Sequence, residues 1–235
     1  REPEAGEPWS GVLNNCPDAN NLDPNSPSAN CDRITVAGSF FGSPEFRLKG
    51  IYVFTFYQVA FDGRLPAYAE IIPDIRAVTG RTSGEVFQKR AEFAGAFTER
   101  TEFRTRYDGL TNAAYVSALL SRYGVASITT PDPAAPDGTQ FVTLTQTELT
   151  NRLTAGTLTR AQVLRALVQS QEITGAEANR TFVAMQYYGF LRRAPDTPGF
   201  NAWLNYLNAH PADFRTMVNG FVNSREYRLR FGAAQ

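Results

Sequence analysis

The sequence contains few of the residues and motifs that carry enzyme chemistry. It has one histidine, His210, and only two cysteines. It has no Gly-x-Ser-x-Gly nucleophile motif, no phosphate-binding loop and no glycine-rich dinucleotide motif. Acidic residues are common, but the sequence singles out no pair of them for catalysis. We therefore expect no enzymatic activity, no catalytic residue and no cofactor, and the enzyme alternative is a hydrolase that uses two carboxylates.

The chain also lacks net charge and long apolar runs. Its 23 basic and 23 acidic residues cancel. Nucleic acids and anionic membranes favour a basic surface, so we expect no nucleic acid partner. The longest apolar stretch, Ile51–Phe61, is interrupted by Thr55 and Gln58 and is too short to span a bilayer, so we expect no membrane insertion. Because the chain has no net charge, electrostatic repulsion does not oppose its association with other copies of itself.

The chain does contain an internal repeat. Phe40–Lys49 and Phe221–Arg230 share one pattern: two apolar residues, a small or amide residue, Ser, any residue, Glu, an aromatic residue, Arg, Leu and a base. A segment with Pro, an acidic residue and Trp precedes each of them, and it contributes Trp9 and Trp203. Similar elements in a fixed order indicate that the chain reuses one supersecondary unit.

The repeat divides the chain into segments. We predict a first repeat unit at 1–49, degenerate middle units over 51–174 with a Pro-rich exposed loop at 128–138, and a second clear unit at 181–232. The middle region divides further, so that the four segments are 1–49, 51–107, 112–174 and 181–232. Since the chain begins with Arg1 inside a repeat unit, we expect it to belong to a longer protein.

Most of the local patterns predict helices. Capping-box patterns begin at Thr145, Thr159 and Thr174, each with Glu or Gln three residues later. Tyr52–Ala60 is apolar nearly all round, which predicts a central helix. Alternating strand patterns are scarce, and the best of them is Phe141–Leu144. The predicted fold is all-α: a compact multi-helix domain built from about four degenerate helical repeat units.

We interpret the repeated residues as structural. The Ser can cap the last short helix of a unit, the Glu complements the N-terminus of that helix, and the aromatic residue anchors it in the core. The two Trp residues are interpreted as core anchors, with a sugar-stacking platform as the alternative. The repeat anchors are Trp9, Ser43, Glu45, Phe46, Trp203, Ser224, Glu226 and Tyr227.

Two polar groups allow a binding role. Asp18, Asn20 and Asp23 offer oxygen ligands at spacings that a calcium loop uses, but the bidentate Glu and the Gly of such a loop are missing. Ordinary turns are the alternative for these residues. Arg192 and Arg193 form either a solvated turn or a site for an anion or a partner's acidic residue.

Cys16 and Cys31 bracket a loop rich in Asn, Asp, Ser and Pro. This arrangement favours a disulfide formed in an oxidising compartment, and two free thiols are the alternative. A zinc site is not expected, because the chain has only one histidine to join the two thiolates.

The residues from Tyr187 to Asp196, followed by Gly199-Phe200, Trp203-Leu204 and Phe221–Arg228, resemble DUF4214, a bacterial family of domains of unknown function. Residues 1–49 resemble a second copy that lacks its first helix and carries the cysteine loop as an insertion. Residues 51–174 are similar to the region between copies in acidobacterial-type members with several copies. The Ser-Arg-Glu-Tyr-Arg ending is also similar to phycobilisome rod linkers, which are helical assembly proteins. The resemblance implies attachment to secreted or surface proteins, and it implies no catalytic residue.

Together these features predict a structural or interaction module. We expect it to be secreted or displayed on the surface of a bacterium and to act through contacts with a protein partner or with copies of itself. The alternative is a carbohydrate-binding module that stacks Trp or Tyr rings on a surface glycan.

Overall fold

The structure is a computed structural model that describes residues 9–43, 47–135, 139–211 and 213–232. Helices dominate these residues, so the prediction of a mostly α-helical fold is confirmed. The helices are α1 (Trp9–Asn14), α2 (Arg33–Gly42), α3 (Tyr52–Ala60), α4 (Tyr68–Ala77), α5 (Ser83–Thr98), α6 (Thr101–Tyr107), α7 (Asn112–Leu120), α8 (Gln146–Thr154), α9 (Arg160–Gln169), α10 (Gln171–Ala176), α11 (Ala178–Gln186), α12 (Thr197–Ala209), α13 (Phe214–Val222) and α14 (Arg225–Phe231).

Shorter elements complete the fold. A 3₁₀ turn covers Pro27–Asn30, and π-helical turns cover Arg47–Ile51 and Tyr187–Leu191. None of the helices in the described part of the chain is long and apolar enough to cross a membrane.

One β-hairpin interrupts the helices. Strands β1 (Ser127–Pro131) and β2 (Phe141–Thr145) pair antiparallel. The strand predicted at Phe141–Leu144 is therefore confirmed. The prediction of an exposed loop at 128–138 is wrong for its first residues, because Ile128 and Thr130 are fully buried and pair with β2. Residues 136–138 of that segment lie outside the described residues.

The chain forms two compact units. The outer unit contains the described residues up to 47 together with those from 182 onward. The middle unit contains residues 48–181. The first and last sequence segments therefore share one unit, and the two middle segments share the other.

A common junction recurs in all four segments. Counting the 3₁₀ turn of the first segment as a helix, the third helix of each segment is followed within two residues by a junction residue with φ between −69° and −61° and ψ between 141° and 149°. The backbone N–H of that residue donates to the carbonyl three residues earlier, at 3.1 or 3.2 Å. The third helices are α2, α5, α9 and α13, and the junction residues are Ser43, Arg100, Ser170 and Ser224. This geometry ends the longer third helix and turns the chain, and in the last three segments a short fourth helix comes next: α6, α10 and α14.

The third helices also pack in pairs. In the outer unit α2 packs against α13, and in the middle unit α5 packs against α9. Each compact unit is therefore a pair of segments joined through equivalent helices.

The predicted helix starts are confirmed at two of three positions. Thr145 and Thr159 form complete capping boxes with Glu148 and Gln162. The box predicted at Thr174 is wrong. Ser170 caps α10 instead, and the Thr174 hydroxyl lies within that helix and donates to the Ser170 carbonyl at 2.7 Å.

The middle unit has an aromatic core. Every residue of α3 is buried, which confirms the predicted central helix. Rings continue from Phe56 through Phe97 to Phe103, with centroids 5.1 and 6.2 Å apart. Each such ring pair adds about 0.5–1.5 kcal/mol beyond the area it buries, so these contacts stabilise the unit from within.

Candidate functional site

One repeat anchor of the last segment, Glu226, joins Arg193 and Asp196 in a polar cluster that we call the clasp. The Arg193 guanidinium donates to both Glu226 carboxylate oxygens, at 2.7 and 2.8 Å. It also donates to Asp196 Oδ2 at 3.2 Å and lies over the Tyr187 ring. Arg193 therefore binds acids of its own chain, which neither of the two sequence alternatives for this arginine proposed.

Local structure places each member of the clasp. Asp196 caps α12 by accepting the Gly199 N–H at 2.9 Å. A Cβ on Gly199 would lie 2.4 Å from the Tyr187 hydroxyl, so the close approach of these two residues requires glycine. Ser224 caps α14 and thereby points Glu226, in the first turn, towards Arg193.

The clasp holds its carboxylates in the charged form. The hydrogen bond from Arg193 lowers the pKa of Glu226, and the backbone N–H of Gly199 is the main cause of the lowered pKa of Asp196. A carboxylate-pair hydrolase needs one carboxyl group with a raised pKa as proton donor. These two neighbouring carboxylates have shifts in the opposite direction, which suits an ion pair that fastens helices together.

A second clasp occurs in the middle unit. Arg64 donates to Glu102 at 3.1 Å, and Glu102 occupies the repeat position of Glu226. Arg64 also binds both oxygens of Glu70, the acid in the first turn of α4. The residue before each clasp arginine has a positive φ: 83° at Gly63 and 48° at Arg192. The same backbone turn therefore presents both arginines.

The remaining segments modify this arrangement. In the third segment the residue after the positive-φ Gly124 is Val125, so the clasp arginine is missing. Glu172, at the repeat position of Glu226, accepts a hydrogen bond from the Thr129 N–H of the hairpin at 2.8 Å. In the first segment Glu45 lies outside the described residues. Sequence reasoning missed the clasp, although an arginine four residues before the start of the second helix, at Arg64 and at Arg193, was a detectable signal.

The cysteine loop is fastened to the last segment through a buried carboxylate. Cys16 and Cys31 form a disulfide with Cα atoms 5.5 Å apart, which confirms the predicted bond. The next residue, Asp32, is fully buried and accepts two hydrogen bonds from Arg215 of α13, at 2.6 and 3.1 Å. Asn21 in the loop donates to the same carboxylate at 3.0 Å. Burial raises the pKa of Asp32, but these hydrogen bonds outweigh it, so the net shift is downward.

Other buried carboxylates are also bound by arginine. Asp74 accepts from Arg100 and from the Tyr57 hydroxyl, both at 2.6 Å. Glu177 lies between Arg122 and Arg180, with shortest N–O distances of 3.2 and 3.3 Å. A buried charge is stable only when it is paired, and these carboxylates are paired with arginines of the same chain. We therefore interpret both acids as structural.

The residues proposed for calcium take part in turns. Asp18 Oδ1 accepts the Asn20 N–H at 3.0 Å, and Asp23 Oδ1 accepts the Asn25 N–H at 2.9 Å. Across the described ranges, no three His, Cys, Asp or Glu side chains lie close enough together to hold a metal ion. The calcium site stays a prediction, with these oxygen atoms already engaged by the backbone.

The tryptophans were the candidate stacking platform. Trp203 is half-buried, with its ring 5.8 Å from the Phe221 ring. Its six-membered ring lies so close to Gly220 that a Cβ there would be 2.6 Å away. Trp203 therefore packs within the outer unit. The side chain of Trp9, together with Phe46, lies outside the described residues.

Large apolar side chains lie exposed at several places. The described residues of this kind are Leu22, Phe40, Phe141, Phe214, Leu229 and Phe231. Two of them belong to α14, which has no buried residue at all. Tyr227 of the same helix, a predicted core anchor, is half-buried and packs against Phe190 and Phe231.

The segment that contains the first clasp has known relatives. Residues 173–231 match the DUF4214 family, a domain of unknown function. The matched DUF4214 segment includes all three clasp residues, Trp203 and Ser224. No curated protein and no solved structure matches the chain.

Proposed function

We propose that the chain is a structural module of the bacterial cell surface or exterior that acts through protein–protein contacts. The observation that carries the proposal is that α14 has no buried residue and carries two exposed large apolar side chains, Leu229 at 77% and Phe231 at 43% exposure. Large apolar side chains that cluster on one exposed element are typical of interaction sites.

Two further observations support this proposal. The Cys16–Cys31 disulfide fits an oxidising environment outside the cytoplasm. The clasp carboxylates and the buried carboxylates bind arginines within the chain, which supports the proposal that the protein is not an enzyme. The partner is either another protein or a second copy of the chain.

Photo-crosslinking in the native bacterium tests this function. A photoreactive phenylalanine analogue replaces Leu229 in one variant, Phe141 in a second and Ala155 in a control. We expect discrete protein adducts at one or both apolar positions and none at Ala155. The proposal is contradicted if no position gives a protein adduct, or if the protein is found only inside the cytoplasm when intact cells are labelled from outside.

A carbohydrate-binding module is the second candidate, and one feature favours it. Along α12 and its C-terminal cap, the rings of Trp203, Tyr206 and His210 follow one another, with centroids 5.9 and 4.5 Å apart. The Tyr206 hydroxyl donates to Asp213 at 2.6 Å, so a carboxylate lies at the end of this row. Rings beside carboxylates can stack on a sugar and accept from its hydroxyls.

Binding to purified cell-surface polysaccharide separates the two candidates. Under the carbohydrate function, Tyr206→Ala weakens binding at least tenfold, while Tyr68→Ala on α4 leaves it unchanged. Under the protein-contact function, neither the unaltered chain nor either variant binds polysaccharide.

A further inference from the structure

The two edges of the β-hairpin differ in how they are protected. The β1 edge is closed, because the Thr129 N–H donates to the Glu172 carboxylate at 2.8 Å and Pro131 has no N–H to offer. Helices α9 and α10 also pack against β1. Features of this kind prevent the edge of a sheet from pairing with another chain.

The direction of the β2 backbone follows from the ladder between the strands. In an antiparallel pair, hydrogen-bonded and non-hydrogen-bonded residue pairs alternate. The Asp132 N–H donates to the Gln140 carbonyl at 2.7 Å, so the ladder is hydrogen-bonded at that pair. Three residues further along, Thr129 lies opposite Thr143, and the Thr129 N–H points away from β2, so this pair is not hydrogen-bonded. The backbone N–H and C=O groups of Thr143, and by the same alternation those of Phe141, therefore point away from β1.

The β2 edge has none of the protection found on β1. Phe141 and Thr143 are exposed, and within the described part of the chain no hydrogen bond reaches their outward backbone groups. The strand reads Phe-Val-Thr-Leu-Thr, without a proline or a charged residue. At its end the Thr145 N–H donates to Glu148 at 2.7 Å, so the open part of the edge consists of Phe141 and Thr143.

An open edge of this kind recognises an extended backbone, because a second strand supplies N–H and C=O groups at the matching spacing. We propose that the β2 edge pairs antiparallel with the β2 edge of a second copy of this chain. In the register centred on Val142, Phe141 of each copy lies opposite Thr143 of the other. Each open N–H then donates to an open C=O of the other copy, and the contact has the twofold symmetry of a closed dimer.

Two observations favour a second copy as the occupant. The open edge is self-complementary, since this register pairs both open residues with open residues and leaves none over. The chain has no net charge and β2 has no charged side chain, so electrostatic repulsion does not oppose the pairing. The Phe141 ring, which is 58% exposed, then packs across the strands against Thr143 of the other copy, and aromatic and β-branched residues stabilise such pairs. The inference rests on the proposed function and deepens it by naming the surface and the partner.

Sedimentation equilibrium of the full 235-residue chain over a range of concentrations tests the pairing. We expect the average mass to rise from 26.0 kDa towards twice that value. Thr143→Pro removes the outward N–H and leaves the hydrogen bonds between β1 and β2 in place, because that N–H points away from β1. We expect this variant to dimerise at least tenfold more weakly.

A matched pair of lysine substitutions provides a second measure of the edge. Thr143→Lys places a charge on the edge by changing an exposed side chain, and it is expected to weaken dimerisation at least tenfold. Thr105→Lys makes the same change at an exposed position of α6 and is expected to leave dimerisation unchanged.

Cysteine crosslinking tests the register. In the proposed dimer the Val142 residues of the two copies form a non-hydrogen-bonded pair with Cα atoms about 4.5 Å apart. A disulfide can join Cα atoms at about this distance. Under oxidising conditions Val142→Cys is therefore expected to give a disulfide-linked dimer. Gln140→Cys is the control and is expected to give none, because the Gln140 residues of the two copies lie at opposite ends of the paired stretch.

Three results overturn the inference. They are a chain that stays at 26.0 kDa at all concentrations, a Thr143→Lys chain that dimerises as strongly as the unaltered chain, and equal linking of the Val142→Cys and Gln140→Cys chains. Crosslinks from Phe141 to a different polypeptide in the bacterium also overturn the choice of a second copy. Crosslinks at Leu229 alone leave the protein-contact function standing while they reject this edge, so the two proposals fail separately.

Discussion

The two compact units use the same kind of segment and similar contacts, but they differ in one covalent tie. The middle unit surrounds a wholly buried helix, α3, with tilted and edge-on aromatic rings, and it has its own clasp and buried ion pairs. The outer unit joins segments from opposite ends of the sequence with a buried ion pair and a clasp, and it adds a disulfide. We conclude that apolar and polar contacts complete the repeat in both units, and that the outer unit responds more to a change of redox conditions.

Removal of the buried ion pair is expected to have the largest effect on the outer unit. Arg215→Ala leaves the fully buried Asp32 carboxylate without its cation, and loss of one partner of a buried pair costs about 3–5 kcal/mol. Chemical denaturation followed by tryptophan fluorescence measures this loss, because Trp203 lies in the outer unit. Arg225→Ala, at an exposed position of α14, is the control and is expected to change stability by less than about 0.5 kcal/mol.

Reduction of the disulfide ranks second. The bond joins residues separated by 15 positions, and the loop-entropy relation gives about 3 kcal/mol for a loop of this size. Hydrogen exchange with and without reductant is expected to accelerate in the outer unit alone, since the middle unit has no cysteine. Equal acceleration in both units would show that the disulfide does not act on one unit selectively.

A matched pair of glycine substitutions tests the packing of Trp203. Gly220→Ala brings a Cβ within 2.6 Å of the indole ring, and such overpacking costs about 1–3 kcal/mol. Gly38→Ala on α2, the partner of α13, has no atom within 4 Å of the added Cβ and is expected to stabilise by about 0.5–1 kcal/mol through helix propensity. Thermal denaturation of both variants should therefore give shifts of opposite sign; two shifts of the same sign contradict the packing described for Trp203.

The clasps give the smallest effect and the most direct comparison between units. Both are partly exposed, so Glu226→Gln and Glu102→Gln are each expected to cost no more than about 1 kcal/mol. The Glu226 change should cost more, because Arg193 binds both of its oxygens whereas Arg64 makes a single contact with Glu102. A larger loss at Glu102 would reverse this ranking.

Acid provides a second measure of the outer clasp. The pKa of Glu226 is lowered below its ordinary value of 4.5 in the folded chain. The ion pair with Arg193 therefore adds its full share to the free energy of unfolding above pH 4.5, and this share is lost as the pH falls through the folded pKa. Glu226→Gln should therefore remove part of the acid sensitivity of the outer unit. If the free energy of unfolding of the variant depends on pH as that of the unaltered chain does, the ion pair makes no measurable contribution to stability.

Local patterns predicted the helices well, because capping and apolar spacing act over a few residues. Thr145, Thr159 and the central helix at Tyr52–Ala60 are examples. The capping box at Thr174 failed because Ser170, an equally good cap, starts the helix one turn earlier. The strand at Ser127–Pro131 was missed because the prolines that follow indicated a loop, although its run of Ile and two Thr residues favours a strand.

The site was harder to predict, since its contacts join distant residues. Arg193 meets Glu226, and Arg215 meets Asp32 from the other end of the chain. The repeat marked Glu226 as important, but only the folded backbone shows that its partner is an arginine in the loop before α12. The disulfide was predictable because both cysteines lie in one short polar loop.

Hydrogen exchange of α6 and α14 in the same sample tests the central comparison most directly. The two helices have equivalent positions and matching ring pairs, but Tyr115 covers the pair on α6, whereas α14 has no buried residue. We expect amides of α14 to exchange at least a hundredfold faster than those of α6. Equal protection of both helices would contradict the account.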